Sequence, residues 1–325
     1  MKFTKFALPL ALGAALFAPQ AYAQEITLKA SHNANAEEPY GVGMRKMAEI
    51  LEEQTGGKAT IEVYDNATLG DEMESIQGTQ MGTVDIAVTA NSTLANFVPD
   101  LSVFSLPFLF DGAEQMDRAL SDPAVLAEIE TALDAKGFHL LAVFSAGTRH
   151  IMTKKPINGL EDMAGLKIRT MQTPAHVDTF NAFGANATPI AYAELYGALE
   201  TGVVDGAEAA NTNFYAKKFY EVAPDWAVLG WLELVAPVVM GKAAYEALPD
   251  DVKVALDQAG LEAGKAERAA YLASDNARFA DLEAVGVTIT HPDAAPFREA
   301  AAAVQQKYLE TDTQKAIFDL LKAVE

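Results

Sequence analysis

Histidine is the side chain best suited to metal ligation and to proton transfer near neutral pH, and the chain has five, at positions 32, 139, 150, 176 and 291. No two stand at the H-E-x-x-H spacing that would place both on one helical face around zinc. Ser145 lies in Val143-Phe144-Ser145-Ala146-Gly147, which lacks the first glycine of a G-x-S-x-G nucleophile elbow. Gly41-Val42-Gly43 begins like a dinucleotide loop, yet Lys46 stands where the third glycine is needed, and Pro39-Tyr40 precedes it in place of a strand. There is no Walker A sequence, and the absence of cysteine removes thiolate, disulfide and iron–sulfur chemistry. Carboxylates are plentiful, but unpaired acids in so acidic a chain read as solvated surface. The usual signatures of an enzyme, a cofactor site and a metal site are missing.

The 45 acids against 24 lysines and arginines give a formal charge of −21. That balance argues against nucleic acid, whose phosphates are held mainly by Lys and Arg, and against adhesion to an anionic membrane surface. Half of the 325 residues are hydrophobic, enough for about two globular domains. At the start, Lys2 and Lys5 precede an apolar run from Phe6 to Ala18, and Ala21-Tyr22-Ala23 supplies small residues at −3 and −1. This is the pattern of a cleaved secretory signal, residues 1–23. The run is too short to span a bilayer, which needs about 20 apolar residues. Cleavage removes two lysines and no acids, so the mature chain from Gln24 would carry −23. An exported, soluble product without membrane insertion is expected.

The elements that must position any site alternate. Ile26–Ala30, Thr60–Tyr64 and Val84–Thr89 read as strands. Between them, Met44, Met47, Ala48 and Leu51 repeat at helical spacing up to Gly56-Gly57, and Asp71–Met81 reads as a helix ended by Gly82. The alternation restarts with strands at Phe138–Phe144 and Leu166–Thr170, helices near Ala175–Phe183 and Ala193–Glu200, and a β-prone run at Leu232–Met240. Asp250 is expected to cap a long helix running to about Ala284, followed by a short strand at Val287–Thr290 and two helices. Strands alternating with helices imply an α/β fold with a mainly parallel sheet. Two lobes without a flexible linker imply strands that cross between them, with a cleft at the interface suited to a small molecule.

The most specific stretches are Gly159-Leu160-Glu161-Asp162-Met163-Ala164-Gly165-Leu166-Lys167-Ile168-Arg169-Thr170 and the segment from Gly184 to Gly206, which contains Pro189-Ile190-Ala191-Tyr192. With Thr68-Leu69-Gly70-Asp71-Glu72, Leu106-Pro107-Phe108, Gly147-Thr148-Arg149 and Lys218-Phe219-Tyr220-Glu221-Val222 in register, the mature chain closely resembles the DctP-type substrate-binding subunit of tripartite ATP-independent periplasmic (TRAP) transporters. The resemblance implies a two-lobed periplasmic binding protein fold with crossing strands and a long interdomain helix. Lobe I would take residues 24–146 and about 235–275, and lobe II residues 147–234 and about 276–325. It further implies a monomer that closes on a small organic anion, carboxylate or sulfonate, and delivers it to ion-coupled membrane subunits.

The resemblance also implies ligand residues. Arg169 would pair bidentately with the ligand's acid, since a planar guanidinium matches two anionic oxygens. Arg149 would supply a second cation or, alternatively, an interdomain salt bridge. Asn33 would meet the distal part of the ligand beside His32, and Glu72 would line the cleft or cap a helix. Tyr192 and Trp231 would pack on the ligand or in the core. Some relatives carry an asparagine where this chain has Ala209, so Asn211 or Asn213 is expected to compensate. Ala90 likewise replaces an acid of sialic-acid binders, with Asn91 beside it, and both departures count against sialic acid. Two rival readings stand beside transport: an exported enzyme on a similar scaffold, and a subunit presenting ligand to a sensor.

Overall fold

The computed structural model describes residues 25–324, so the signal sequence expected at 1–23 lies outside the described residues. The apolar runs form nine strands: β1 (Ile26–Ser31), β2 (Ala59–Tyr64), β3 (Ile86–Val88), β4 (Phe138–Thr153), β5 (Lys167–Thr170), β6 (Asn186–Pro189), β7 (Gly206–Ala209), β8 (Asp225–Gly241) and β9 (Thr288–Thr290). They join into one sheet of order β2-β1-β3-β8-β4-β7-β5-β6, with β9 also on β8. Pairing is parallel within β2-β1-β3, within β7-β5-β6 and between β8 and β9. The expected mainly parallel sheet is therefore mixed. Its centre is antiparallel, because β4 and β8 run side by side along their full lengths and pair antiparallel with β7 and β3 in turn.

β4 and β8 are much longer than their apolar runs. At about 3.3 Å per residue, 16 and 17 residues make a ribbon of roughly 50 Å that joins the two parallel halves. Its register slips between Leu140 and Ala142, between Ser145 and Thr148 and again between Arg149 and Ile151, as at β-bulges. Gly147 sits in the second slip with φ +79°, where a Cβ would press on the Tyr271 ring and Ala210. The helix Asp250–Ala284 lies across the ribbon and the helix Pro39–Thr55. It approaches β4 through small residues: a Cβ at Gly260 would overlap the Leu141 carbonyl oxygen. Asp250, expected as its cap, is its first helical residue, and Pro249 holds the cap position. There the carboxylate still favours the positive end of the helix dipole.

Two helices, Ala113–Ala119 and Pro123–Asp134, fill a stretch in which the hydropathy pattern marked no element. No helix of the described residues is long and apolar enough to cross a membrane. The apolar side chains gather in three buried clusters along the sheet faces. What matters for function is where the parallel strands end. The segments after β1, β3, β5, β6 and β7 all deliver residues to one cavity, as expected for ligand sites at carboxyl ends of strands in α/β sheets.

Candidate functional site

That cavity measures about 700 Å³, counting space continuous with solvent at its mouth. Its polar floor is built on β4, β5 and β7. Arg149 lies past the second register slip of β4, Arg169 in β5, and Glu208 in the fully buried β7. The Arg149 Nε donates to Glu208 Oε2 at 2.6 Å, and the Arg169 Nη1 donates to Glu208 Oε1 at 3.2 Å. One carboxylate thus serves two guanidiniums, all sealed from solvent. Burial alone would raise the Glu208 carboxyl, but the two arginines outweigh it and hold the group below its ordinary range.

The two arginines differ in what else they hold. Arg149 also donates to the carbonyl oxygens of Ala146 and Glu208 and to Asn213 Oδ1. Among the described residues Arg169 donates only to Ile190 O and Glu208, so its Nη2 makes no hydrogen bond to them. Burial lowers the Arg169 guanidinium from its ordinary value. Two guanidiniums and one carboxylate leave a formal excess of one positive charge at this pole, with Arg169 carrying uncommitted donors.

Other lining residues are acidic. Glu72 accepts from Ala90 N at 2.9 Å and Thr93 Oγ1 at 2.7 Å, and burial raises its carboxyl. It does not cap its helix; Asp71 does, in a reciprocal box with Glu74. Glu38 accepts from Asn213 Nδ2 at 2.7 Å and Asn35 N at 2.6 Å, and burial raises it as well. Tyr40, Tyr192 and Tyr271 supply aromatic surface. The Tyr192 hydroxyl is buried without a hydrogen-bond partner. Asn33 and Gln172 also line the cavity, and their side-chain amides bond to no other group among the described residues.

Of the residues singled out from sequence, Arg149, Arg169, Asn33, Glu72, Tyr192 and Asn213 line this one cavity. Asn91, Asn211 and Trp231 do not. Asn91 donates to Leu101 O at 2.7 Å inside the core. Asn211 accepts from the Trp226 indole at 2.8 Å and donates to Asp275 O, which fixes it beneath the long helix. Of the two asparagines considered as replacements for Ala209, only Asn213 therefore reaches the cavity. Trp231 is fully buried, edge-on to Phe180 and His176. His32 is also buried, against Asp65 at 2.9 Å. Sequence reasoning missed Glu208, Glu38 and Tyr271. The one available signal for Glu208 was an acid within the otherwise apolar strand Gly-Ala-Glu-Ala.

Residues 30–312 match the family model for bacterial extracellular solute-binding proteins, family 7. A solute-binding protein of Verminephrobacter eiseniae is 33% identical over 88% of this chain and 85% of its own length. The C4-dicarboxylate-binding periplasmic protein of Rhodobacter capsulatus is 33% identical over 78% of this chain and 75% of its own. Among solved structures, a TRAP periplasmic solute-binding protein from Roseobacter denitrificans with bound β-D-glucuronate superposes with a TM-score of 0.87 at 31% identity, covering 92% of this chain and all of that one. One from Xanthobacter autotrophicus with bound β-D-galacturonate gives 0.89 at 26% identity, again covering 92% of this chain and all of that one. The chain belongs to this family of solute-binding proteins, and its fold is that of the TRAP periplasmic binding proteins.

Proposed function

We propose that the chain is a periplasmic binding protein that closes on a polyhydroxylated monocarboxylate of hexuronate size and hands it unchanged to the membrane subunits of a TRAP transporter. It acts as a monomer after loss of residues 1–23. Its lobes are residues 24–146 with about 235–275, and 147–234 with about 276–325, hinged on β4 and β8. One observation carries the reading: two buried guanidiniums share a single carboxylate, leaving one positive charge and free Arg169 donors at the end of a cavity. A ligand carboxylate supplies the missing charge, and its two oxygens suit a planar guanidinium.

The relatives include binders of dicarboxylates and of sugar acids, and the acidic residues elsewhere in the lining favour the latter. Among the described lining residues the arginine pair provides the only cations, whereas Glu38, Asp71 and Glu72 are anionic. A second carboxylate would meet acids there. Hydroxyl groups would instead donate to the spare lone pairs of Glu72 and pair with Asn33 and Gln172. A thermal-shift panel tests this: ligand at a hundred times its dissociation constant adds about 2.7 kcal/mol of stability. D-glucuronate, D-galacturonate and D-galactonate should raise the melting temperature, and succinate and malate should not. Stabilisation by the dicarboxylates alone would replace this reading with theirs, and ligand recovered chemically altered would indicate an enzyme.

A further inference from the structure

Glu38 and Asn213 come from opposite sides of the sheet's central ribbon. Glu38 holds the N-cap position of the helix after β1 without capping it through its side chain, Asn213 lies in the helix after β7, and the strand order places β1 and β7 on either side of β8 and β4. Yet their side chains meet at 2.7 Å. The contact belongs to an unbroken chain. Lys217 Nζ donates to Asn35 Oδ1 at 2.7 Å and Asn66 Oδ1 at 3.1 Å, and lies 3.7 Å from Glu38 Oε2. Glu38 Oε1 accepts from the Asn213 amide nitrogen. The Asn213 amide oxygen receives Arg149 Nη1 at 3.3 Å and stands 2.9 Å from the Tyr271 hydroxyl. Arg149 then holds Glu208, and Glu208 holds Arg169.

The orientation of the Asn213 amide is fixed by this arrangement. Its nitrogen faces a carboxylate and its oxygen faces a guanidinium and a phenol, so the amide has one satisfactory setting. If the cleft opens, Glu38 leaves Asn213, and the amide loses one of the two anchors that hold its oxygen on Arg149. We propose that Glu38 and Asn213 are positioning residues that couple closure of the cleft to alignment of the arginine pair, with Lys217 as the clasp at the rim. The proposal rests on the acid-binding reading above. In it, the grip on the acid is completed only when the two sides meet, so the relay acts chiefly on ligand release.

Stopped-flow binding of D-glucuronate to the mature chain tests this with Glu38→Ala, Asn213→Ala, the double variant and Lys217→Ala. Each of the first two should raise the dissociation rate about 10-fold with the association rate within about twofold. The double variant should be no worse than the poorer single, because each single substitution already breaks the same relay at the Glu38–Asn213 contact. Lys217→Ala, which removes only rim contacts, should raise dissociation about threefold and guards against misfolding of the buried variants. Multiplying losses in the double variant, or unchanged dissociation in both Asn213→Ala and Lys217→Ala, would overturn the relay. Wild-type protein that bound no acid would refute the functional reading instead, which separates the two failures.

Discussion

Arg149 Nε donates to Glu208 Oε2 at 2.6 Å, and both side chains are sealed from solvent. Because Arg169 rests on the other oxygen of the same carboxylate, the single charge of Glu208 is shared between two buried cations. Glu208→Gln keeps the shape and removes the charge, leaving two guanidiniums near each other in a poorly solvated site. Breaking buried ion pairs in this way costs about 3–5 kcal/mol. Urea unfolding of the variant should show a loss of that order, partly recovered when sulfate is added. A loss below about 1 kcal/mol would mean that Glu208 does not hold the site together.

Glu72 is the test of selectivity. Its carboxylate lies buried in the cavity lining, within electrostatic reach of Arg169, and takes one backbone and one hydroxyl donor. Glu72→Gln removes a charge that would repel a second ligand carboxylate. The ratio of succinate to D-glucuronate dissociation constants should fall by about 10-fold, or about 1.4 kcal/mol. A ratio identical to that of wild type would show that Glu72 does not select.

Stability should peak on the slightly acid side of neutral. Burial raises three carboxyls beside the central ribbon: Glu267 to about 8, Glu233 to about 7 and Asp275 to about 6. Between the ordinary carboxyl range and these values the folded state holds protons that the unfolded chain has released. Their contribution is therefore complete at low pH and lost as pH rises through about 6 to 8. Burial also lowers His150 to about 3 and both His32 and His176 to about 4. Below about pH 6.5 the unfolded chain gains these protons first, so their contribution is lost on acidification. Calorimetry should show the melting temperature climbing from pH 8.5 to about 6.5, then levelling and falling. Glu267→Gln should flatten the alkaline limb, and a melting temperature that rises steadily to pH 8.5 would contradict the assignment.

How much of this was legible beforehand depends on what surrounds each segment. The strand at Ile26 and the helix ending at Gly56-Gly57 were readable because one face of each is apolar. β4 was readable only to Phe144, since Ser145 to His150 is polar and small. That stretch extends as strand because β8 continues beside it and the long helix covers it, neither of which is encoded locally. The same holds at the site. Arg149 and Arg169 came from motif resemblance, while Glu208 and Glu38 take their roles from contacts across the sheet order. Trp231 and Asn211 show the converse: residue types suited to a ligand, satisfied here by aromatic packing and a buried tryptophan indole.

Acid binding turns on Arg169, whose Nη2 group makes no hydrogen bond to the described residues while Arg149 keeps Glu208 paired. Titration calorimetry of the mature chain with D-glucuronate and D-galacturonate, wild type beside Arg169→Ala, tests it most directly. Losing a charged, two-pronged contact should cost at least about 2.8 kcal/mol. Wild type should show saturable one-to-one binding and Arg169→Ala at least about 100-fold weaker binding, with the variant still folding cooperatively. Undiminished affinity in the folded variant would contradict it.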